Sequence, residues 1–230
     1  MSETKAGTGE GRRVLVWDLP VRLFHWVLVA LVVTSFVTAK LGGNLMQWHM
    51  WSGYSILTLV LFRVLWGFAG STHARFANFV RGPSAVIGYA RALVAGRSER
   101  HLGHNPLGGW SVLALLASLA VQAGTGLFAN DDIVTEGPLV RLISKDTSDF
   151  ITRIHNWNEL VLYALVGLHL AAIIFYAVVK RENLVGPMIT GHKSAAPGEP
   201  VSETVMRGAW QAAVLLAGCA ALVWLVVTKA

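Results

Sequence analysis

Four of the eight histidines in this 230-residue chain, His25, His49, His155 and His169, lie in stretches almost free of charge. His155 and His169 are 14 residues apart. In a helix that rises 1.5 Å per residue and turns every 3.6 residues, this spacing puts them on one face, roughly 21 Å from each other. A neutral imidazole is a metal ligand. Two imidazoles facing each other from neighbouring helices could fill the axial positions of a planar metal porphyrin. Each pair would offer only two nitrogens, with no nearby thiolate or third histidine, which does not make a zinc site. The single cysteine, Cys219, leaves no Cys-x-x-Cys-His attachment and no intrachain disulfide. Any porphyrin held this way would be a non-covalent, b-type haem, two in all.

The elements that must position these side chains are membrane helices. Hydrophobic residues make up 54% of the chain and charged residues 14%, far from the balance of a soluble domain. Roughly 20 apolar residues span a bilayer as a helix. Five stretches approach that length: about 22–39, 47–69, 107–128, 153–179 and 208–227. Trp48 and Trp51 at one end of the second stretch, and Trp66 at the other, fit aromatic belts. A cleaved signal peptide ending at Val37-Thr38-Ala39 is the competing reading of the first span, but the polar lead is long and His25 and Trp26 interrupt the apolar run.

Basic residues alternate along the chain and orient it. Lys5, Arg12, Arg13 and Arg22 precede the first span, Arg75, Arg81, Arg91, Arg97 and Arg100 follow the second, and Lys180, Arg181, Lys193 and Arg207 follow the fourth. Cytoplasmic loops collect such residues, so the N-terminus is expected inside and the C-terminus outside. The 129–150 loop carries Asp131, Asp132, Glu136, Asp146 and Asp149 against Arg141 and Lys145. It forms an acidic outer face on which a basic partner could dock. With this orientation His25 matches the depth of His169, and His49 that of His155. One such histidine alone reads as a hydrogen-bonded packing residue. Four at two matched depths read as two haem sites, since ionisable groups in membrane helices are costly and mark function.

Other residues fit the same depths. Gly53 lies one turn after His49, Gly124 and Gly126 end the third span, and Gly108 and Gly109 begin it, where flat walls or close helix approach would both need small residues. Arg63 falls at the level of the inner pair and, with Arg22, could meet haem propionates, with snorkelling as the alternative for Arg63. Arg153 is the analogous outer candidate. Glu159, one turn after His155, could take a proton from a quinol, orient an imidazole, or simply pack. His73, His101, His104 and His192 read as loop residues. Residues 1–13 look like a mobile tail whose glycines follow no strand, so they make no phosphate-binding turn. Ala85–Leu93 reads as a short interfacial helix. Residues 193–207, with Pro197, Gly198 and Pro200, read as a polar linker to a fifth helix, 208–230, that carries no histidine, Asp or Glu. No nucleic-acid partner is expected.

The run Val16-Trp17-Asp18-Leu19-Pro20-Val21-Arg22-Leu23-Phe24-His25-Trp26, the His49 to Gly53-Tyr54 spacing, His104-Asn105-Pro106-Leu107-Gly108-Gly109 and Lys180-Arg181-Glu182-Asn183-Leu184 together resemble the bacterial cytochrome b561 and nickel-iron hydrogenase b-type cytochrome family. The resemblance covers roughly 14–192 and implies an all-α, four-helix diheme bundle in the inner membrane, to which the fifth helix is an addition. It further implies two haem b groups on His25, His49, His155 and His169. Electrons would pass between the quinone pool and a periplasmic c-type cytochrome or hydrogenase-like oxidoreductase subunit of a respiratory chain. On this reading the chain is an electron-transfer subunit without substrate chemistry of its own. A quinone-coupled superoxide oxidase and a haem-free transporter are the alternatives. The acidic outer loop argues mildly against the oxidase, because it would repel an anion.

Overall fold

A computed structural model of the protein describes residues 12–195 and 204–229. Most of the proposed tail, and the linker residues Pro197, Gly198 and Pro200, lie outside the described residues. A short strand β1 (Arg13–Leu15) leads into helix α1 (Leu19–Leu41), and α2 (Met46–Ala69) returns antiparallel to it. Two short helices follow, α3 (Phe76–Phe79) and α4 (Pro83–Val94), and then α5 (Pro106–Gly126). The long α6 (Lys145–Val178) packs against α5. A one-turn-and-a-half helix α7 (Val185–Thr190), strand β2 (His192–Ser194) and helix α8 (Ala209–Lys229) complete the order. Five of these helices, α1, α2, α5, α6 and α8, are long and apolar enough to cross a membrane. The chain is an all-α, multi-pass membrane protein.

Local chemistry explains where the spans begin. Asp18 caps α1 by accepting the Val21 N–H at 2.8 Å, with Pro20 in the first turn. Asn105 caps α5 by accepting the Gly108 N–H at 2.7 Å, ahead of Pro106. Ser144 caps α6, and Asp146 sits in its first turn, where a negative charge suits the helix dipole. Residues 145–150 were expected in the acidic loop; instead they form the first turns of α6, because this cap starts the helix ahead of its apolar stretch. The short helix expected at 85–93 forms over Pro83–Val94.

The strands pair antiparallel, Arg13 opposite Ser194 and Leu15 opposite His192. The Gly191 carbonyl accepts the Val16 and Trp17 N–H groups at 2.8 and 3.1 Å. Gly191 has φ +84, and a Cβ there would meet Leu15 at 2.8 Å and the Trp17 carbonyl at 2.9 Å. Only glycine fits both the backbone and the space. The Trp66 indole donates to Asp18 Oδ2 at 3.1 Å, so one buried carboxylate both caps α1 and ties it to the end of α2. This basic end of the bundle also holds Tyr89, Tyr176 and Asn105. The two tyrosine hydroxyls lie 2.8 Å apart, and Asn105 donates to Tyr176 at 2.7 Å, joining α4, α5 and α6.

Packing is uneven. α2 lies against α1, α5 and α8, whereas α6 packs closely on α5 alone. Between α6 and the α1–α2 hairpin the backbones stand apart, and side chains make the contacts, Phe36 on Tyr163 and Lys40 on Glu159 among them. α8 lies against α2 and α1, and buries Ala212, Cys219 and Val223 there. Cys219 is thus a core residue.

Candidate functional site

Across the gap beside α6 the four histidines meet in two pairs. His25 on α1 faces His169 on α6, with ring centroids 6.5 Å apart. His49 on α2 faces His155 on α6, with centroids 6.3 Å apart. Two imidazole nitrogens about 2 Å from one metal lie about 4 Å from each other, and about 1 Å more from each nitrogen to its ring centre gives a centroid spacing of about 6 Å. Both pairs match that spacing. No three His, Cys, Asp or Glu side chains converge among the described residues, so the arrangement is of pairs and not of a cluster.

The pair at the acidic end is braced by backbone. His49 Nδ1 lies 3.0 Å from the Ser35 carbonyl on α1, and His155 Nδ1 lies 2.9 Å from the Gln122 carbonyl on α5. A carbonyl only accepts, so each Nδ1 carries the proton and donates it. The lone pair of each neutral ring is then on Nε2, the nitrogen left for a metal. The Ser35 and Thr125 hydroxyls stand 3.2 Å from the same two Nδ1 atoms. Behind His155, Asn158 donates to the Ser118 carbonyl and to Gln122 Oε1 at 2.9 and 2.7 Å, locking α5 to α6. A cleft with about 580 Å³ of empty space, counting its mouth, opens between the two rings. Val32, Phe36, Ile56 and Leu162 give it apolar walls, and Gly53 lines it with no atom within 4 Å of where a Cβ would stand. Gly126 has the opposite reason, since a Cβ there would press on His155 Cε1 at 3.1 Å.

The pair at the basic end has a different setting. His25 Nδ1 is buried without a hydrogen-bond partner, as are Arg63 Nη1, Arg22 Nε and His104 Nδ1. Arg63 is 3% exposed and lies over the Phe76 ring at 5.1 Å. Arg22 donates to the Ile189 carbonyl at 2.5 Å, which anchors it to α7. His104, expected as a loop residue, is sandwiched between Trp17 and Phe79 at 4.7 and 4.6 Å. Burial, with the Arg63 charge next in weight, holds its pKa down at about 3, so it is a neutral ring at physiological pH. Polar atoms buried without a partner are uncommon in folded proteins, and two of them here are guanidinium nitrogens, of Arg22 and Arg63. An anionic group with oxygen acceptors suits them, as the carboxylates of a porphyrin would.

Other expected residues fall elsewhere. Glu159 pairs with Lys40 at 2.9 Å and accepts from the Tyr163 hydroxyl at 2.5 Å, so its hydrogen bonds go away from His155. Arg153 sits over the Phe150 ring at 5.8 Å. A Cβ on Gly109 would press on the Phe79 carbonyl at 2.8 Å, a helix-packing role, and one on Gly108 would crowd the Asn105 cap at 3.3 Å. The sequence reading passed over Ser35, Gln122 and Thr125. Polar residues in otherwise apolar spans are the signal that marks them.

Known proteins resemble this chain over most of its length. The family model of prokaryotic cytochrome b561 matches residues 16–191. The chain is similar to the probable Ni/Fe-hydrogenase B-type cytochrome subunit of Cupriavidus necator, at 25% identity over 82% of this chain and 93% of that protein. It is also similar to the proteins of the same description in Bradyrhizobium diazoefficiens, at 23% identity over 78% and 85% of the two chains, and in Azotobacter vinelandii, at 25% over 86% and 98%. No solved structure matches the chain. A match over residues 16–191 takes in all four paired histidines and the motifs around them, and the chain belongs to the prokaryotic cytochrome b561 family.

Proposed function

We propose that this b-type cytochrome carries two haems, one held by His25 and His169 and the other by His49 and His155, and passes electrons across the inner membrane. The donor and acceptor are the quinone pool and a periplasmic redox partner, a c-type cytochrome or a hydrogenase-like subunit. The N-terminus is cytoplasmic, so the basic end faces inward and the acidic loop faces the partner. Residues 14–192 form the cytochrome unit, and the remainder is accessory to it. The observation that carries this reading is the spacing of the two histidine pairs, 6.5 and 6.3 Å between ring centroids.

Bound haem supplies a reversible one-electron change. The chain supplies orientation and electrostatics. The Ser35 and Gln122 carbonyls hold Nδ1 of the outer imidazoles and leave each Nε2 for the metal. Arg63 and Arg22 offer buried guanidinium nitrogens for inner propionates, and Gly53 keeps the outer cleft free of a side chain. The relatives named as Ni/Fe-hydrogenase subunits support a hydrogenase-like partner for this chain.

Visible spectroscopy of purified wild type and His169→Ala tests the pairing. The expected variant keeps b-type reduced-minus-oxidised bands at about half the wild-type intensity. Full intensity in the variant would refute the assignment of His169.

A further inference from the structure

At the basic end, away from the histidine pairs, a cavity with about 1250 Å³ of empty space, counting its mouth, lies between the end of α6, α7 and the two strands. Arg13, Arg100, Lys180, Arg181, His192 and Lys193 line it, with Glu99 and Glu182 the acidic residues among the lining. Glu182 is already occupied: Lys193 Nζ lies 2.6 Å from its carboxylate and Arg100 Nε 3.7 Å from it. Among the described residues, Arg13, Lys180 and Arg181 make no ion pair.

Arg181 adds a separate observation. Its φ is +52, the left-handed region usually left to glycine just past a helix end. Arginine stands at the cavity wall there against backbone preference, and such outliers gather at ligand sites. Ser98, also on the wall, has a buried hydroxyl without a partner.

The surroundings of the cavity narrow its ligand. Lys180 and Arg181 follow Val179, just past the end of the α6 membrane span. The neighbouring Val178, Val179, Val185 and Ile189 are all exposed apolar side chains. Cationic polar space beside exposed apolar surface, at the end of a span, suits a molecule with an anionic head and acyl chains. Basic pockets at the cytoplasmic ends of spans are where anionic headgroups bind. We infer that this cavity binds the phosphate headgroup of one anionic phospholipid from the inner leaflet, with its chains lying against α6 and α7. The assignment goes beyond electron transfer and does not depend on haem ligation.

The full-length protein, purified in neutral detergent, is mixed with phosphatidylglycerol or phosphatidylcholine, and retained lipid is counted by native mass spectrometry. One phosphatidylglycerol per chain is expected, and phosphatidylcholine is not retained. Each basic side chain near an anionic surface contributes roughly a fivefold change in affinity, so Arg13→Gln, Lys180→Gln and Arg181→Gln together should weaken retention roughly a hundredfold. A control lacking Arg91, Arg97 and Arg207, exposed cations that do not line the cavity, should retain lipid like wild type. Arg181→Gly provides a variant that relaxes the backbone: it should melt higher and still bind about fivefold more weakly. Equal retention of both lipids, equal loss in the control, full retention by a well-folded triple variant, or displacement of the lipid by millimolar inorganic phosphate would each overturn the inference. An unchanged visible spectrum in the triple variant keeps its failure distinct from failure of the haem assignment.

Discussion

At the residue scale the two histidine pairs are held by different means. The rings at the acidic end, His49 and His155, have their Nδ1 protons committed to the Ser35 and Gln122 carbonyls. His25, at the basic end, has no such brace, and its Nδ1 is buried without a partner. Arg63 is the most buried of the cations there, with the Asp18 carboxylate acting on it from beyond ion-pair distance, and such a charge is unfavourable unless a ligand answers it more closely. Arg63→Met is therefore expected to stabilise the haem-free protein by about 1–3 kcal/mol while weakening retention of the inner haem. Thermal melts of the haem-free and haem-loaded forms check this, and a variant destabilised in both forms would contradict it. The histidines themselves could be read from the sequence because an ionisable side chain stands out in an apolar run. Their braces could not, because a backbone carbonyl as acceptor leaves no mark on residue type.

At the element scale, α6 organises the site by carrying one histidine of each pair on one face, while α1 and α2 present the partners. The spans were legible from length and apolarity, within a few residues at most ends. The start of α6 was not, because Lys145–Asp149 is polar and looks like loop until the Ser144 cap is recognised. Strands β1 and β2 were also hidden, since three-residue strands far apart in sequence carry no usable periodicity. Nor could the Lys40–Glu159 contact be read from residues on two different helices. In the loop ahead of α6, Asp131 Oδ1 accepts the N–H groups of Ile133, Val134 and Thr135 at 3.0, 2.9 and 2.8 Å. These bonds, that of Ile133 foremost, hold the Asp131 carboxyl down at about 2. A depressed carboxyl stabilises the turn above its ordinary pKa near 4 and loses that contribution as pH falls toward about 2. Pepsin cleavage within residues 129–139 should accelerate over that window in wild type and lose the acid-dependent part in Asp131→Asn, whose amide oxygen still accepts. Equal pH dependence in both proteins would contradict the assignment to Asp131.

At the scale of the whole molecule, a bundle whose α6 stands off from the α1–α2 hairpin is joined on its far side by α8. That fifth helix packs on α2 and α1 and contributes no wall to the cleft between His49 and His155, so its removal is separable from the site. A chain ending at residue 203 should keep both haems and melt several degrees lower, because the partners of Ala212, Cys219 and Val223 become exposed to lipid or detergent. Loss of either haem on truncation would show that α8 shapes the site.

Haem stoichiometry with redox titration tests the central claim most directly. Two haem b per chain, titrating in two one-electron steps, is the result that two independent histidine pairs require. One haem per chain with a single step, or no haem at all, would contradict it.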